Sequence, residues 1–184
     1  IRPDYQLSPR IIEMQKSGAR VLLIGHHPTL NILQETLGQT TPIGLIVIKD
    51  PIRKDAHEAL KFFSDNDVAV KVISGDNPAT VSAIASQAGV ANAEKYIDAS
   101  TIVTDQQLED AILNYNVIGR ASPFQKHQMI LCLQKHNQKV AMTGDGVNDV
   151  LALKDADVSI AMGSGSDIAA KYRNLLLLMV NYKH

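Results

Sequence analysis

The chain has 184 residues, of which 45% are hydrophobic and 20% charged, and its net charge is -1. That is the make-up of one globular domain, with room for an appendage, and it carries no electrostatic footprint for nucleic acid. Cys132 is the only cysteine, so no disulfide can form within the chain, which suits a reducing compartment. The longest apolar run, 175–180, is far shorter than the roughly 20 residues of a membrane span, and no signal peptide is expected from the polar start.

Residues 1–9 are polar, carry Pro3 and Pro9, and read as a lead-in. Ser8 with Pro9 behind it predicts a short helix to Lys16, stopped by Gly18. A strand is expected over 20–24, ended by His26-His27-Pro28, and both histidines are expected in a loop. Thr40-Thr41-Pro42 marks a domain boundary, giving parts 1–42 and 43–184. From Gly44 onward strands and helices alternate. Strands are expected over 45–48, 68–73, 116–118, 139–142 and 158–161. Helices are expected over 52–63, 78–88, 104–114, 123–135 and 147–156, then a short helix after Ser166 and a last strand over 174–178. Alternation with wholly apolar strands predicts an α/β fold with a parallel sheet and helices on both faces.

In such sheets ligands bind beyond the carboxyl ends of the strands. The four segments that follow the strands here are Asp50-Pro51-Ile52-Arg53, Ser74-Gly75-Asp76-Asn77-Pro78, Gly119-Arg120-Ala121-Ser122-Pro123 with Lys126 just inside the next helix, and Thr143-Gly144-Asp145-Gly146-Val147-Asn148-Asp149. Asp50, Asn77 and Ser122 each serve as helix caps before proline, and Ser122 with Gln125 forms a capping box. For Asp50 and Arg53 a structural and a functional role weigh equally. Ser74-Gly75 offers a hydroxyl and a backbone N–H at a helix start, as an anion site would, although a plain turn uses the same residues.

Lys126 stands near a helix N-terminus, where the macrodipole disfavours a cation. A lysine snorkelling to water would explain it alone. Taken with Ser74, Asp145 and Asp149, a phosphate bound with Mg2+ explains it better, since a hard cation seeks carboxylate and phosphate oxygens. From spacing alone Arg20 reads as structural and Asp157, before an apolar strand, as a turn or surface residue; the six histidines show no metal-ligand spacing, Met162-Gly163-Ser164-Gly165 is a lone G-x-G, and no P-loop motif occurs.

These residues together resemble the P-type cation-transporting ATPases. The run from Thr143 to Asp157, continuing to Gly163, is similar to the family's hinge segment. Asp50-Pro51-Ile52-Arg53 is similar to Asp-Pro-x-Arg, Ser74-Gly75-Asp76 to Thr-Gly-Asp with serine for threonine, and Arg120 to Lys126 to Arg-x-x-Pro-x-x-Lys, all in the family's order. The likeness covers about residues 10–178, and the wording around 70–85 is most like the bacterial E-type group. It implies a Rossmann-like haloacid-dehalogenase fold and the cofactors Mg2+ and ATP. Asp145 would bind the metal, with Asp149 in support. Asn148, Lys126, Ser74 and Gly75 would hold the phosphoryl group, Asp76 and Arg120 would lie along the nucleotide, and Arg20 would bridge to ATP.

The family's phosphorylated aspartate lies in Asp-Lys-Thr-Gly-Thr, and no such segment occurs here. The resemblance therefore implies a fragment without its central nucleophile strand. It would comprise the end of a nucleotide-binding domain, 1–42, and most of a phosphorylation domain, 43–184, on the cytoplasmic side of an integral cell-membrane protein. Its partners would be ATP, a transported cation for which the E-type likeness points to Ca2+, and the actuator, nucleotide-binding and membrane parts of the same polypeptide, but no nucleic acid. The fragment is expected to lack ATPase activity. Its sheet is expected to show a gap, a rearrangement, or a strand swapped in self-association. Two rival readings remain at this point. A soluble phosphatase of the same superfamily would need its own Asp-x-Asp nucleophile strand, which is not found. A non-catalytic nucleotide- or phosphate-binding module is the other.

Overall fold

The computed structural model describes residues 8–26, 41–49, 51–144 and 147–161. These fall into two compact units. Described residues up to Val70 form the first together with those of 79–94; Lys71–Pro78 and described residues from Lys95 form the second.

The first unit begins with α1 (Pro9–Lys16), whose proline occupies the first turn as expected. The helix ends at Ser17 and Gly18, the latter at φ 83, while Gly18 N donates to Gln15 O and Ala19 N to Met14 O. These paired bonds satisfy carbonyls that a helix end leaves open. Next come β1 (Arg20–His26) and β2 (Thr41–Ile48), an antiparallel pair with Arg20 opposite Ile48 and an irregularity between Ile24 and Gly25. The expectation that 45–48 begins the parallel sheet is thus corrected. A short apolar run suits a buried parallel strand and a hairpin arm alike, so its pattern cannot choose between them. His26 lies at the end of β1 rather than in a loop. The helix α2 (Ala56–Asp65) starts four residues later than expected, and α3 (Pro78–Ala88) keeps its predicted bounds. Within this unit the buried Ser82 hydroxyl donates to Ala93 O at 2.8 Å.

The second unit holds β3 (Val72–Ile73), β4 (Tyr96–Asp98), α4 (Asp105–Asn114), β5 (Val117–Gly119), α5 (Pro123–Lys135), β6 (Ala141–Gly144), α6 (Val150–Asp155) and β7 (Val158–Ala161). Strands β3, β5 and β4 form a parallel sheet in that order, and β6 pairs in parallel with β7. The sheet is interrupted, because among the described residues β6 and β7 share no ladder with the other three. Central β5 is buried throughout. Its Ile118 joins Ile112 of α4, Met129 of α5, Ala99 and Ala121 in one core, with Ile73 and Ile97 packed against it. Ile130, Val140, Ala152 and Ala156 form a second core. Side chains alternate across a strand, and Ile73, Ile118 and Ile97, paired across β3, β5 and β4, face the first core together. Both α4 and α5 start with capping boxes, Thr104 with Gln107 and Ser122 with Gln125. The chain is therefore α/β, with parallel strands whose carboxyl ends lead into helix starts. The last helix and strand expected from the sequence lie outside the described residues.

Candidate active site at the strand ends

In the second unit, the loops after β3 and β5 are tied together by their backbones. Ser74 N donates to Ile118 O at 2.9 Å, Ala121 N to Ser74 O at 3.0 Å, and Arg120 N to Asp76 O at 2.8 Å. The Ser74 hydroxyl accepts from Asp76 N at 3.1 Å, closing a small turn around Gly75. Gly119 makes this approach sterically feasible. A Cβ there would stand 2.3 Å from Pro78 Cα, inside any tolerable contact. At Gly75 a Cβ would meet only Ala121 O, at 3.9 Å, so neighbouring chain does not demand glycine there.

Arg120 follows with φ 52, the left-handed region that a long side chain seldom adopts. Its guanidinium pairs with the Asp98 carboxylate at 2.5 Å, and Asp98 also accepts from Ser100 N and Ser100 Oγ. Burial pushes the Asp98 carboxyl up, but the Ser100 hydroxyl and N–H and the Arg120 guanidinium outweigh it and hold the group below the ordinary carboxylate value.

The Ser122 cap and Pro123 fix where α5 begins, which sets Lys126 on its first turn. Lys126 Nζ donates to Asp149 Oδ1 at 2.7 Å, and only 12% and 10% of the two side chains are exposed. Asp149 is delivered by a 3-10 turn, Val147–Asp149, that precedes α6. Gly144, at the end of β6, lies against it. A Cβ on Gly144 would come within 2.7 Å of Asp149 Cβ and 2.9 Å of Oδ2. Asn148 is exposed on the same turn. An ion pair so far out of water is held at a desolvation cost, which makes it a site to explain rather than a routine surface contact.

The structure thus joins Lys126 to Asp149, and the Ser74-Gly75-Asp76 loop to the Arg120 loop. Arg20 opens β1 in the first unit. Asp145, Gly146 and Asp50 lie outside the described residues, as does Met162-Gly163-Ser164-Gly165. Arg53 pairs with Asp55 at 3.1 Å on an exposed stretch. Among the described residues no three His, Cys, Asp or Glu side chains cluster as a metal site, and no helix is long and apolar enough to cross a membrane. A carboxylate oxygen is the donor Mg2+ prefers, and Asp149 presents one beside a backbone kept bare by Gly144, so the residues present suit that ion.

Two residues mattered more than their sequence suggested. Asp157 accepts from Val140 N at 3.0 Å, Lys139 Nζ at 3.0 Å and Gln134 Nε2 at 3.2 Å. Those bonds lower its carboxyl to about 2. They tie the end of α5 to the start of β6, which no local spacing could reveal. His127 meets Asp155 at 2.6 Å, linking α5 to α6.

Residues 10–157 match the family model for haloacid dehalogenase-like hydrolase. The chain is 40% identical over 183 residues to the calcium-transporting ATPase CtpE of Mycobacterium bovis, covering 96% of this chain and 23% of that protein. It is 41% identical over 178 residues to the probable cation-transporting ATPase exp7 of Streptococcus pneumoniae, covering 92% and 22%. It is 35% identical over 171 residues to the magnesium-transporting ATPase, P-type 1, of Salmonella typhimurium, covering 88% and 18%. The chain therefore spans about a quarter or less of the length of these curated relatives. Among solved structures, the catalytic domain of the CPx-ATPase CopB-B is similar at 26% identity and a TM-score of 0.53, over 76% of this chain and 46% of that one. With its parallel strands, its loops converging from strand ends and a match over most of its length, the chain belongs to the haloacid dehalogenase-like hydrolases.

Proposed function

We propose that this chain is the cytoplasmic catalytic part of a P-type cation-transporting ATPase, with residues 1–42 ending a nucleotide-binding domain and 43–184 forming most of a phosphorylation domain. The observation that carries this reading is the buried Lys126–Asp149 pair, drawn from two separate helix starts in segments similar to two of the pump motifs. Lys126 neutralises phosphoryl oxygens, Ser74 and Gly75 hold them through the hydroxyl and backbone N–H, and Asn148 donates to the phosphoryl group. Asp145 and Asp149 would hold Mg2+, which when bound would supply positive charge to offset that of the phosphate oxygens. Asp76 and Arg120 lie along the nucleotide, and Arg20 reaches it from the nucleotide-binding part. The chemistry is phosphoryl transfer from ATP to an aspartate outside this chain, then hydrolysis, and the cycle drives a cation, with Ca2+ favoured by the likeness to CtpE.

Such transfer also needs the aspartate of an Asp-Lys-Thr-Gly-Thr segment as nucleophile, which these 184 residues do not contain, so the chain binds but does not turn over. Incubation of the chain with Mg2+ and ATP, or with a small phosphate ester, is expected to give no release of phosphate. Turnover of ATP that disappears on Asp145→Asn contradicts this. Turnover of the phosphate ester alone would favour a soluble phosphatase instead.

A further inference from the structure

Arg120 is the meeting point of three strand ends. Its N–H is taken by Asp76 O from the loop after β3, its own strand is β5, and its guanidinium is held by Asp98, the last residue of β4. Asp98 stands opposite Gly119 in the β4–β5 ladder, so its carboxylate is delivered to Arg120 by the sheet itself. The carboxylate is fixed in turn by Ser100, whose N–H and hydroxyl both donate to Oδ1, leaving Oδ2 for the arginine.

An arginine on a left-handed backbone has its side chain launched in an unusual direction, and such conformations persist only when neighbours over-determine them. About half of the Arg120 side chain remains exposed while Asp98 is only a quarter exposed. The carboxylate is therefore the fixed partner and the guanidinium the presented one. A guanidinium has five N–H donors in a rigid fork, and a carboxylate oxygen that takes one leaves others to face solvent.

We propose that Asp98 is a positioning residue that fixes the guanidinium of Arg120 for the nucleotide. This rests on placing Arg120 along the nucleotide, and it adds a residue from β4, a strand outside the segments that carry the resemblance. Asp98 touches no ligand. It acts by removing the rotamer freedom that Arg120 would otherwise lose on binding.

The test is calorimetric titration of the 184-residue chain with MgATP, comparing Asp98→Asn, Arg120→Ala and the double variant. Asparagine can still accept from Ser100 N, so the cap survives while the charged partner is lost, and thermal melting shows whether each variant is folded. Arg120→Ala is expected to weaken MgATP on the order of tenfold, as for loss of a charge-assisted hydrogen bond. Asp98→Asn is expected to give most of that loss, and the double variant no further loss beyond Arg120→Ala. A structural role alone would instead give additive losses. Wild-type or tighter affinity in Asp98→Asn, beside a weakened Arg120→Ala, overturns the proposal and leaves the placement of Arg120 standing. Unchanged affinity in both overturns the two together, and an unsubstituted chain that does not bind MgATP overturns the nucleotide reading itself.

Discussion

Lys126 and Asp149 share one short contact in a place where neither is well solvated. The first turn of α5 repels a cation, so the lysine depends on Asp149 for compensation. Removing the acid alone leaves a buried ammonium without a counter-charge. Asp149→Ala is expected to destabilise the second unit by roughly 3–5 kcal/mol, read from urea unfolding. A change below 1 kcal/mol would mean that the pair is solvated. Asp157 gives a prediction with pH. Its folded carboxyl is depressed from 3.8 to about 2, so its contribution is fully present above the unfolded value and is lost as pH falls from about 4 through 2. Asp157→Asn should flatten the stability profile in that window and leave its shape near neutral pH unchanged. At this scale Ser122, Gln125 and Lys126 were legible because a capping box is a local pattern. Asp157 was read as a turn residue because its three donors come from elsewhere in the chain, and sequence spacing does not report them.

The loops that carry the site are set by how closely two elements can approach. Gly119 admits Pro78 at a distance that leaves no room for a methyl group. Gly119→Ala must therefore push the start of α3 away from β5 and loosen the bonds from Arg120 N to Asp76 O and from Ala121 N to Ser74 O. The expected cost is about 1–3 kcal/mol, as for overpacking, with faster amide exchange at Arg120 and Ala121. Unchanged exchange there would show that the loops are not joined through this contact. The helices α1, α3, α4 and α5 were legible to within a residue, since α1, α3 and α5 open on proline and α4 on the Thr104–Gln107 capping box. Strands fared less well. Three-residue β4 has no alternation long enough to see, and β3 shrank to two residues because only Val72 and Ile73 find partners on β5. The pairing of β2 with β1 depends on partners across the chain, which an apolar run does not name.

For the whole molecule, the parallel strands form two sheets, with β3 and β6 each at an edge among the described residues. Exposed edges invite pairing with another chain. On the proposed reading an absent strand, the one bearing Asp-Lys-Thr-Gly-Thr, would lie between such edges. Sedimentation over a range of concentrations is then expected to show self-association that weakens when a peptide of that segment is added; a monomer at all concentrations would count against it. The family was legible in the sequence because several motifs occur in a fixed order along the chain. What those loops surround was less so, since Asp145 lies outside the described residues and a motif does not state distances.

The central claim is that one pocket joins a phosphate, Mg2+ and groups from separate loops. Titration of the chain with ATP, with and without Mg2+, tests it most directly when Lys126→Ala and Asp145→Asn are run beside the unsubstituted chain. The account predicts binding that strengthens with Mg2+, that weakens at least tenfold on Lys126→Ala, and that loses its Mg2+ dependence on Asp145→Asn. Equal affinity in all three proteins, indifferent to the metal, would contradict it.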